Sequence, residues 1–427
     1  MSARPTARPD ASPREEPEPL VAAFRALDAA GVDWCLLRGR EELATDADVD
    51  LLVSGGSEAT VAEALRSAGF VRLPSWGYGS HTFFFRRDEA RDRWLKLDVV
   101  TELSFGPAFS LRTAAAEACL ARRRSDDGVR ILDPGDAFWA LLLHRLLDKR
   151  SIDERSAARL RALLPHAGGD GPLTRAVAAA APAAWPPARL VQAIGSGDLA
   201  SLERRAGPAL ERSWSRAERT GGRRRRAAER RARATARVAT AVRRPGLGVA
   251  VLGPDGAGKS TLVDGLRRSF PLPVRSIYLA PFPPGGANRL PVIGVGVRLL
   301  RLWRGWLAGR AHVARGRLVL FDRYPLDARV APRRPLGRAG RLRRWLVGHA
   351  VPAPELVLVL DVPGSIVHAR KGELDPVTLE SERRQYHDLA ARLPSAAVLD
   401  ATRDADRVRR EAIGIVWDAW TDRWRTP

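Results

Sequence analysis

The sequence predicts an α/β protein whose C-terminal half is built on a parallel β-sheet. An apolar strand at 247–252 runs directly into a glycine-rich loop. Further apolar runs follow at 318–321, 356–360 and 396–399, and helical stretches separate them. Strands that are apolar on both faces and alternate with helices are typical of a parallel sheet covered on both sides. The N-terminal half predicts a different arrangement, an α+β domain followed by helices.

Strand patterns in the N-terminal half occur at 33–39, 48–53, 81–85 and 94–100, with a helix predicted between the second and third. A strongly apolar helix is predicted to begin after Asp133, because proline is favoured at a first helical position. The predicted divisions are a disordered leader at 1–17, an α+β domain at 18–132, a helical appendage at 133–205, an arginine-rich linker at 206–245 and a C-terminal domain at 246–427.

Composition indicates the compartment. The chain has only two cysteines, Cys35 and Cys119, and they have no metal-ligand spacing. A disulfide framework is therefore not expected, and a reducing cytoplasm is the predicted location. The first residues contain no apolar core of signal-peptide length. No stretch reaches the ~18 uncharged apolar residues that a membrane span requires.

The net charge of +22 comes almost entirely from arginine, since the chain contains four lysines. This bias is typical of a GC-rich coding sequence, so much of the charge carries little functional information. The segment at 212–244 is rich in arginine and poor in large apolar residues. It is interpreted as a solvated helical linker. A surface for nucleic acid or anionic lipid is the alternative.

The loop after the strand at 247–252 matches the phosphate-binding pattern G-x-x-x-x-G-K-[ST] at Gly253, Gly258, Lys259 and Ser260. Glycines in such a loop let backbone N–H groups turn towards the phosphates of a nucleotide. The lysine adds positive charge near the β and γ oxygens, and the hydroxyl can bind Mg²⁺. The helix that follows points its positive end at the same phosphates. ATP and Mg²⁺ are therefore the predicted cofactors.

The C-terminal half resembles the thymidylate kinases, and the matching pieces occur in family order. The loop resembles theirs in carrying Asp255 and Gly256 inside it and Thr261 after the serine. The strand that ends in Asp322-Arg-Tyr324 resembles the family's Asp-Arg-Tyr strand. Other matches are the strand at 358–363, a basic lid with Arg370 and Lys371, a following helix with Arg383, Arg384 and Tyr386, and a last strand at 398–401 beside the adenine pocket.

This resemblance implies a nucleoside monophosphate kinase fold and a role for each matching residue. Arg323 would hold the acceptor phosphate, because its planar fork suits two oxygens at once. Asp322 would hold the metal shell or orient the acceptor, and Asp255 would touch the acceptor's sugar. Arg370 and Lys371 would close over the transferred group. A phosphorylated small-molecule substrate and a homodimer are also expected.

Two departures concern the acceptor. Thymidylate kinases carry an Arg-Glu-Pro motif after the second strand, but residues 276–284 contain neither Arg nor Glu. The family's Ser and Gln beyond Asp-Arg-Tyr, which help to place thymine, are replaced across 325–331. The prediction is therefore phosphorylation of a nucleoside monophosphate or a related phosphate, with thymine itself unsupported.

A second possible active site lies in the N-terminal half. Asp48 and Asp50, two apart on one strand, face the same side, and Asp98 on a later strand could join them around two metal ions. This pattern resembles nucleotidyltransferases of the polymerase-β-like superfamily. The superfamily's turn has the sequence Gly-Ser or Gly-Gly, and the corresponding pair here is Gly39-Arg40. His144, in an apolar helix, is interpreted as a core histidine.

Two alternatives remain open for the whole chain. One is a nucleic-acid-associated P-loop protein dominated by the arginine-rich segment, and the other is an ATP sensor that binds without turnover.

Overall fold

The computed structural model describes residues 17–40, 43, 48–73, 79–217, 246–281, 291–332, 335–371 and 375–425, together with scattered residues between 224 and 235. The predicted leader, apart from residue 17, and most of the arginine-rich segment lie outside the described residues. The chain divides near residue 236 into two compact units, each of which is described by itself.

The N-terminal unit contains a mixed sheet of seven strands in the order β3-β4-β5-β2-β1-β9-β8, with β6 and β7 paired separately. Its centre is parallel where β2 lies beside β5, and the pair β4–β5 is antiparallel. The strands are β1 (Trp34–Leu36), β2 (Asp48–Val53), β3 (Val71–Arg72), β4 (His81–Asp88), β5 (Arg93–Val100), β6 (Ser104–Phe105), β7 (Leu111–Arg112), β8 (Arg124–Asp126) and β9 (Val129–Ile131).

Helices cover this sheet and extend beyond it. They are α1 (Glu18–Ala29), α2 (Glu58–Ser67), α3 (Ala116–Ala121), α4 (Pro134–Leu143), α5 (Glu154–Leu163), α6 (Pro172–Ala180), α7 (Pro187–Ser196), α8 (Leu199–Ser201) and α9 (Gly207–Ala217). Helix α4 begins where the sequence predicts, because the Asp133 carboxylate accepts a hydrogen bond from the Gly135 N–H and Pro134 occupies the first turn. A π-helical turn at His144–Lys149 extends α4.

Helix α9 lies inside the segment predicted as a linker. Its Leu210 and Trp214 are buried in the same core cluster as Phe138 and Trp139 of α4. Two large apolar side chains removed from water give this helix a fixed place in the helical layer. The finer domain boundaries remain a prediction, and the structure places residues 207–217 within the N-terminal core.

The C-terminal unit is a five-stranded sheet in the order β11-β12-β10-β13-β14. All four neighbouring pairs are parallel, as the sequence predicts. The strands are β10 (Leu247–Leu252), β11 (Val274–Tyr278), β12 (Leu318–Asp322), β13 (Leu356–Asp361) and β14 (Ala396–Asp400). Every residue of β10 is buried, because β10 is the middle strand and both of its faces are covered.

The helices of this unit are α10 (Lys259–Ser269), α11 (Pro291–Val313), α12 (Arg338–Gly348), α13 (Gly364–Lys371), α14 (Pro376–Ala391) and α15 (Ala405–Arg425), with a 3₁₀ turn at Pro325–Arg329. Because the strands are parallel, their carboxyl ends meet at one edge, where ligands bind in open α/β sheets. In the part of the chain that is described, no helix is long and apolar enough to cross a membrane.

Candidate active site

The phosphate loop follows β10 directly and depends on glycine at specific positions. Gly253, Gly256 and Gly258 have φ angles of 142°, 96° and 95°, in a region that L side chains rarely adopt. A Cβ on Gly253 would lie 3.0 Å from the Leu360 carbonyl oxygen of the neighbouring strand. The loop therefore passes close to β13, and its backbone is free to turn inwards.

Lys259 is the first residue of α10, and its side chain is folded back over the loop. Its Nζ donates to the carbonyl oxygens of Gly253 and Pro254, each at 2.7 Å, and lies 3.4 Å from Asp255 Oδ1. Burial and the nearby Arg323 guanidinium lower the pKa of Lys259. This ammonium is thus a buried cation whose partners are carbonyl groups and one shared carboxylate.

Arg323 follows the end of β12 and shares that carboxylate. Its Nη2 donates to Asp255 Oδ1 at 2.5 Å. Burial alone would lower the pKa of Arg323, but the Asp255 carboxylate outweighs it and the pKa is raised. Arg323 also has a φ of 70°, which is uncommon for a residue other than glycine and occurs more often at functional sites. One oxygen of Asp255 therefore serves both phosphate-site cations.

Ser260 and Asp322 lie together at the carboxyl ends of β10 and β12. Ser260 Oγ donates to Asp322 Oδ2 at 3.1 Å, and Ser260 is exposed. A hydroxyl and a carboxylate are hard oxygen ligands of the type that Mg²⁺ prefers. These two side chains fit a magnesium ion bound beside the phosphate loop.

Asp327, in the 3₁₀ turn after β12, is a residue that the sequence analysis did not single out. Tyr386 of α14 donates to its Oδ1 at 3.0 Å. Its Oδ2 is shielded from solvent and has no hydrogen-bond partner among the described residues. Burial raises the pKa of Asp327 to about 6, although Lys259, Tyr386 and Arg323 act in the opposite direction. The sequence signal was its place within 325–331, the segment in which the family's Ser and Gln are replaced.

A cavity of about 520 Å³ lies on the other side of the loop, between α10, the end of β14 and α15. Thr261 and Gly265 line it from α10, and Ala401 and Arg403 line it from the segment after β14. Arg403 is held there by Asp400 at 2.9 Å. The cavity lies where the resemblance implies an adenine pocket, and Arg403 is a second residue that sequence reasoning missed.

The predicted lid residues lie at the end of α13, where Arg370 and Lys371 are the last two helical residues. The roles implied for them stay predictions. Arg383 of the following helix has a structural contact, because it donates two hydrogen bonds of 2.5 and 2.9 Å to Asp361 at the end of β13. The Arg383 bonds, together with His387, keep the pKa of Asp361 below its usual value.

The three N-terminal aspartates line one cavity of about 340 Å³, together with His81, Lys96 and His144. Asp50 and Asp98 face each other across the parallel pair β2–β5, and Asp48 faces Lys96. The strand geometry thus brings the three predicted residues together.

Each of these aspartates is paired with a basic side chain. Distances are 3.1 Å for Lys96 Nζ to Asp48 Oδ2, 2.5 Å for Arg38 Nη2 to Asp50 Oδ2, and 2.9 Å for His81 Nδ1 to Asp98 Oδ1. As placed, no three His, Cys, Asp or Glu side chains in the described ranges form a metal-ligating group. Metal binding by Asp48, Asp50 and Asp98 requires these contacts to open, and it stays a prediction.

His144 and Asp148 also line this cavity, and their contacts hold them in place. His144 is half-buried, and its Nδ1 lies 2.8 Å from Asp148 Oδ2. Asp148 Oδ1 in turn accepts from the Gly106 N–H at 2.6 Å. His144 therefore lines the cavity and is tied to the helical wall, where the sequence analysis expected only a core position.

The parallel sheet and the loop after its middle strand define a P-loop protein of the kinase type. No protein-family model matches the sequence. The thymidylate kinase of Xanthomonas campestris pv. campestris strain B100 is 32% identical over 202 residues, covering 42% of this chain and 87% of that protein. The thymidylate kinase of Leifsonia xyli subsp. xyli is also 32% identical over 202 residues, covering 39% and 93%.

The chain belongs to the thymidylate kinase family. Among solved structures, the deoxyadenosine kinase from M. mycoides with products dCMP and a flexible dCDP bound is 12% identical. That match covers 40% of this chain and 100% of that chain, with a TM-score of 0.31.

Proposed function

We propose that the C-terminal unit catalyses ATP- and Mg²⁺-dependent phosphorylation of a nucleoside monophosphate, or of a chemically related phosphate. The observation that carries this proposal is the pairing of Lys259 and Arg323 on one oxygen of Asp255, at the carboxyl ends of β10 and β12. Phosphoryl transfer depends mainly on positioning and on cations around the transferred group. Both cations converge on this oxygen, with the buried Asp327 also within electrostatic reach, and their N–H donors can bind phosphate oxygens once these contacts are released.

In this proposal ATP and the acceptor bind on opposite sides of the central strand β10. The cavity beside Thr261 and Ala401 lies towards β13 and β14 and would take the base of ATP. The phosphates would then cross the loop above β10, where backbone N–H groups and Lys259 bind them. The acceptor must approach from the other side, towards β12 and β11, which is where Arg323 lies.

The roles of the protein groups follow from this arrangement. Lys259 would leave the loop carbonyls and donate to the β and γ oxygens of ATP. Arg323 would hold the acceptor phosphate with two parallel hydrogen bonds and align its oxygen with the γ-phosphorus. Ser260 and Asp322 would hold Mg²⁺, which would supply charge neutralisation at the transferred phosphate when it is bound. Arg370 and Lys371 would cover the transferred group.

The direct test is a coupled assay of ADP release with nucleoside monophosphates and sugar phosphates as acceptors. Release that requires a nucleoside monophosphate supports the proposal. Release only with sugar phosphates assigns the related-phosphate form of the activity. ATP binding with no release on any acceptor would contradict kinase activity and favour the ATP-sensor alternative.

For the N-terminal unit, we propose a second, nucleotidyltransferase-like site. The supporting observation is that Asp50 and Asp98 lie directly opposite each other and share one cavity with Asp48. The test is pyrophosphate release from nucleoside triphosphates with Mg²⁺ or Mn²⁺, in wild type and in Asp50→Asn. Equal release by the two proteins would remove the assignment.

We further propose that the protein is cytoplasmic and forms a homodimer. The alternative function is nucleic-acid binding through residues 212–244. Binding to nucleic acid that falls steeply with salt, in proportion to the phosphate contacts, would favour this alternative.

A further inference from the structure

The N-terminal cavity has a helical wall as well as the strands that carry its three aspartates. His144, Asp148 and Lys149 line it from the π-helical turn that extends α4. Such turns are rare and occur frequently at functional sites. The cavity is therefore lined by carboxylates from β2 and β5 and by an imidazole that a different element supplies.

His144 and Asp148 are coupled through one ring nitrogen. His144 Nδ1 lies 2.8 Å from Asp148 Oδ2, and the two side chains are 20% and 18% exposed. A carboxylate can only accept a hydrogen bond, so the proton of the neutral ring is on Nδ1 and Nε2 carries a lone pair. Within the described ranges, Nε2 has no hydrogen-bond partner. The ring thus has one nitrogen fixed and the other available as a proton acceptor.

Asp148 is itself held in position by the backbone. Its Oδ1 accepts from the Gly106 N–H at 2.6 Å. Gly106 has a φ of 75°, and a Cβ there would lie 2.8 Å from the Leu111 side chain, so the position of this donor depends on glycine. The carboxylate therefore has one oxygen on the backbone and one on the imidazole. Enzymes that use histidine to remove a proton orient the ring with a third group in this way.

We infer that His144 is the general base of the N-terminal site, that Asp148 is its positioning residue, and that the acceptor at this site reacts through a hydroxyl group. This inference rests on the proposed nucleotidyltransferase-like function. In the reaction the acceptor O–H bond breaks, and its proton moves to His144 Nε2. The acceptor oxygen forms a bond to the α-phosphorus of a nucleoside triphosphate. The bond from that phosphorus to the bridging oxygen breaks, and pyrophosphate leaves.

The class of acceptor follows from the need for a base. A hydroxyl group keeps its proton at neutral pH and becomes a strong nucleophile only as that proton is removed. A phosphate acceptor is already largely ionised, since its second pKa is about 6, and would need no base. His81 lines the same cavity, but its partner Asp98 is one of the proposed metal ligands, whereas the pair of His144 and Asp148 stays intact when metal binds.

The experiment uses the full chain and measures pyrophosphate release from ATP, CTP, GTP and UTP with Mg²⁺ or Mn²⁺. Water, glycerol and glucose are the hydroxyl probes, and inorganic phosphate is the phosphate probe. Pyrophosphate should be released with a hydroxyl probe, and inorganic phosphate should not increase the release. Release that requires inorganic phosphate would contradict the assignment of a hydroxyl acceptor.

Asp148→Asn is the decisive variant, because it has the same shape and can still accept from the Gly106 N–H. Its amide would donate to Nδ1, which places the ring proton on Nε2 and removes the base. The kcat for pyrophosphate release should fall about a hundredfold or more, with little change in the KM for the nucleoside triphosphate. His144→Ala should show a similar loss, and added imidazole should restore part of its rate. His166→Ala, an exposed change between α5 and α6, should behave as wild type.

A second readout does not depend on turnover. The nitrogen NMR shifts of the neutral His144 ring report which nitrogen carries the proton, and their loss in His144→Ala assigns them. Wild type should show an unprotonated Nε2, and Asp148→Asn should show a protonated one. If His144→Ala does not fold, the shifts that change in Asp148→Asn and the rate of that variant still decide the inference.

Three results contradict this inference in distinguishable ways. Pyrophosphate release at the wild-type rate in Asp148→Asn, or in a folded His144→Ala protein, removes the base and leaves the nucleotidyltransferase proposal standing. A weaker affinity of His144→Ala for Mn²⁺, measured by titration with the metal alone, assigns the ring to metal binding instead. No pyrophosphate release by wild type with any probe removes both proposals together.

Discussion

The two polar sites of this chain balance their charges in different ways. In the N-terminal cavity, Asp48, Asp50 and Asp98 are each paired with a separate basic side chain. At the phosphate loop, Lys259 and Arg323 share one oxygen of Asp255. The N-terminal pairs neutralise each carboxylate separately, whereas at the phosphate loop two basic side chains converge on one carboxylate oxygen, with the buried Asp327 within electrostatic reach of both. The comparison supports the proposal that the C-terminal site binds phosphates, and metal binding at the proposed N-terminal site would require its side-chain pairs to open.

The largest effect is expected from Lys259→Ala. Removing the buried ammonium should lower kcat for ATP-dependent transfer by about a thousandfold or more, because it deletes charge stabilisation at the transferred group. Lys259→Arg should also fail, since the bulkier fork does not fit the glycine loop. Arg267→Ala, an exposed change on the same helix, is the matched control. Wild-type rates in a folded Lys259→Ala protein would contradict the catalytic role.

Arg323→Ala should affect the acceptor far more than ATP. We expect a loss of about 2–4 kcal/mol in kcat/KM for the acceptor, with a higher KM and a lower kcat, while the KM for ATP stays nearly constant. Arg323→Lys should recover only part of this, because a point charge cannot reproduce two parallel hydrogen bonds. Arg315→Ala, an exposed change before the opposite end of β12, should have no effect. An equal loss in ATP affinity would show that Arg323 serves the donor.

Asp48→Asn and Asp50→Asn test the other half of the comparison. Each should abolish metal-dependent nucleotidyl transfer and change the rate of ADP release by the kinase less than about twofold, because the residues belong to separate compact units. Asp126→Asn, on the exposed edge strand β8, is the control. Loss of ADP release in either folded variant would show that the two sites do not act independently.

The smallest effect concerns the stability of the C-terminal unit and depends on pH. The pKa of Asp327 is raised by burial from 3.8 to about 6, so its ionised form destabilises the fold and this cost grows as pH rises towards 6. The free energy of unfolding of Asp327→Asn relative to wild type should therefore increase by about 1–2 kcal/mol between pH 5 and pH 8.

Calorimetry at both pH values checks this prediction, and the transition that shifts when ATP is added identifies the C-terminal unit. Asp388→Asn, an exposed change on α14, should show no such pH dependence. A relative stability of Asp327→Asn that stays constant or falls from pH 5 to pH 8 would mean that the carboxyl is not destabilised by burial.

Much of the C-terminal fold could be predicted because its strands are apolar on both faces. The strands β10, β12, β13 and β14 lie within one residue of the predicted bounds. The exposed and partly polar β11 was not predicted, because Arg275 and Ser276 interrupt its apolar pattern. The parallel order of the sheet is confirmed, since it follows from the alternation of strands and helices.

The parts of the site that could be predicted are those with short sequence patterns. The loop residues and Asp322-Arg-Tyr324 meet in space because parallel strands bring their carboxyl ends to one edge. Asp327 carries no such pattern, and its burial beside the site involves a hydrogen bond from Tyr386, which is 59 residues away in the chain. The one-to-one pairing of Asp48, Asp50 and Asp98 was also unpredictable, because it depends on the strand register that places Lys96 beside Asp48.

The most direct test of the central claim is to quantify both products of the reaction with ATP, Mg²⁺ and a nucleoside monophosphate. If Lys259 and Arg323 bind the two nucleotides for phosphoryl transfer, ADP and the nucleoside diphosphate should form in a one-to-one ratio. Both should fall together in Lys259→Ala and in Arg323→Ala. ADP formed without nucleoside diphosphate, or nucleoside diphosphate formed at an undiminished rate in Lys259→Ala, would contradict this account.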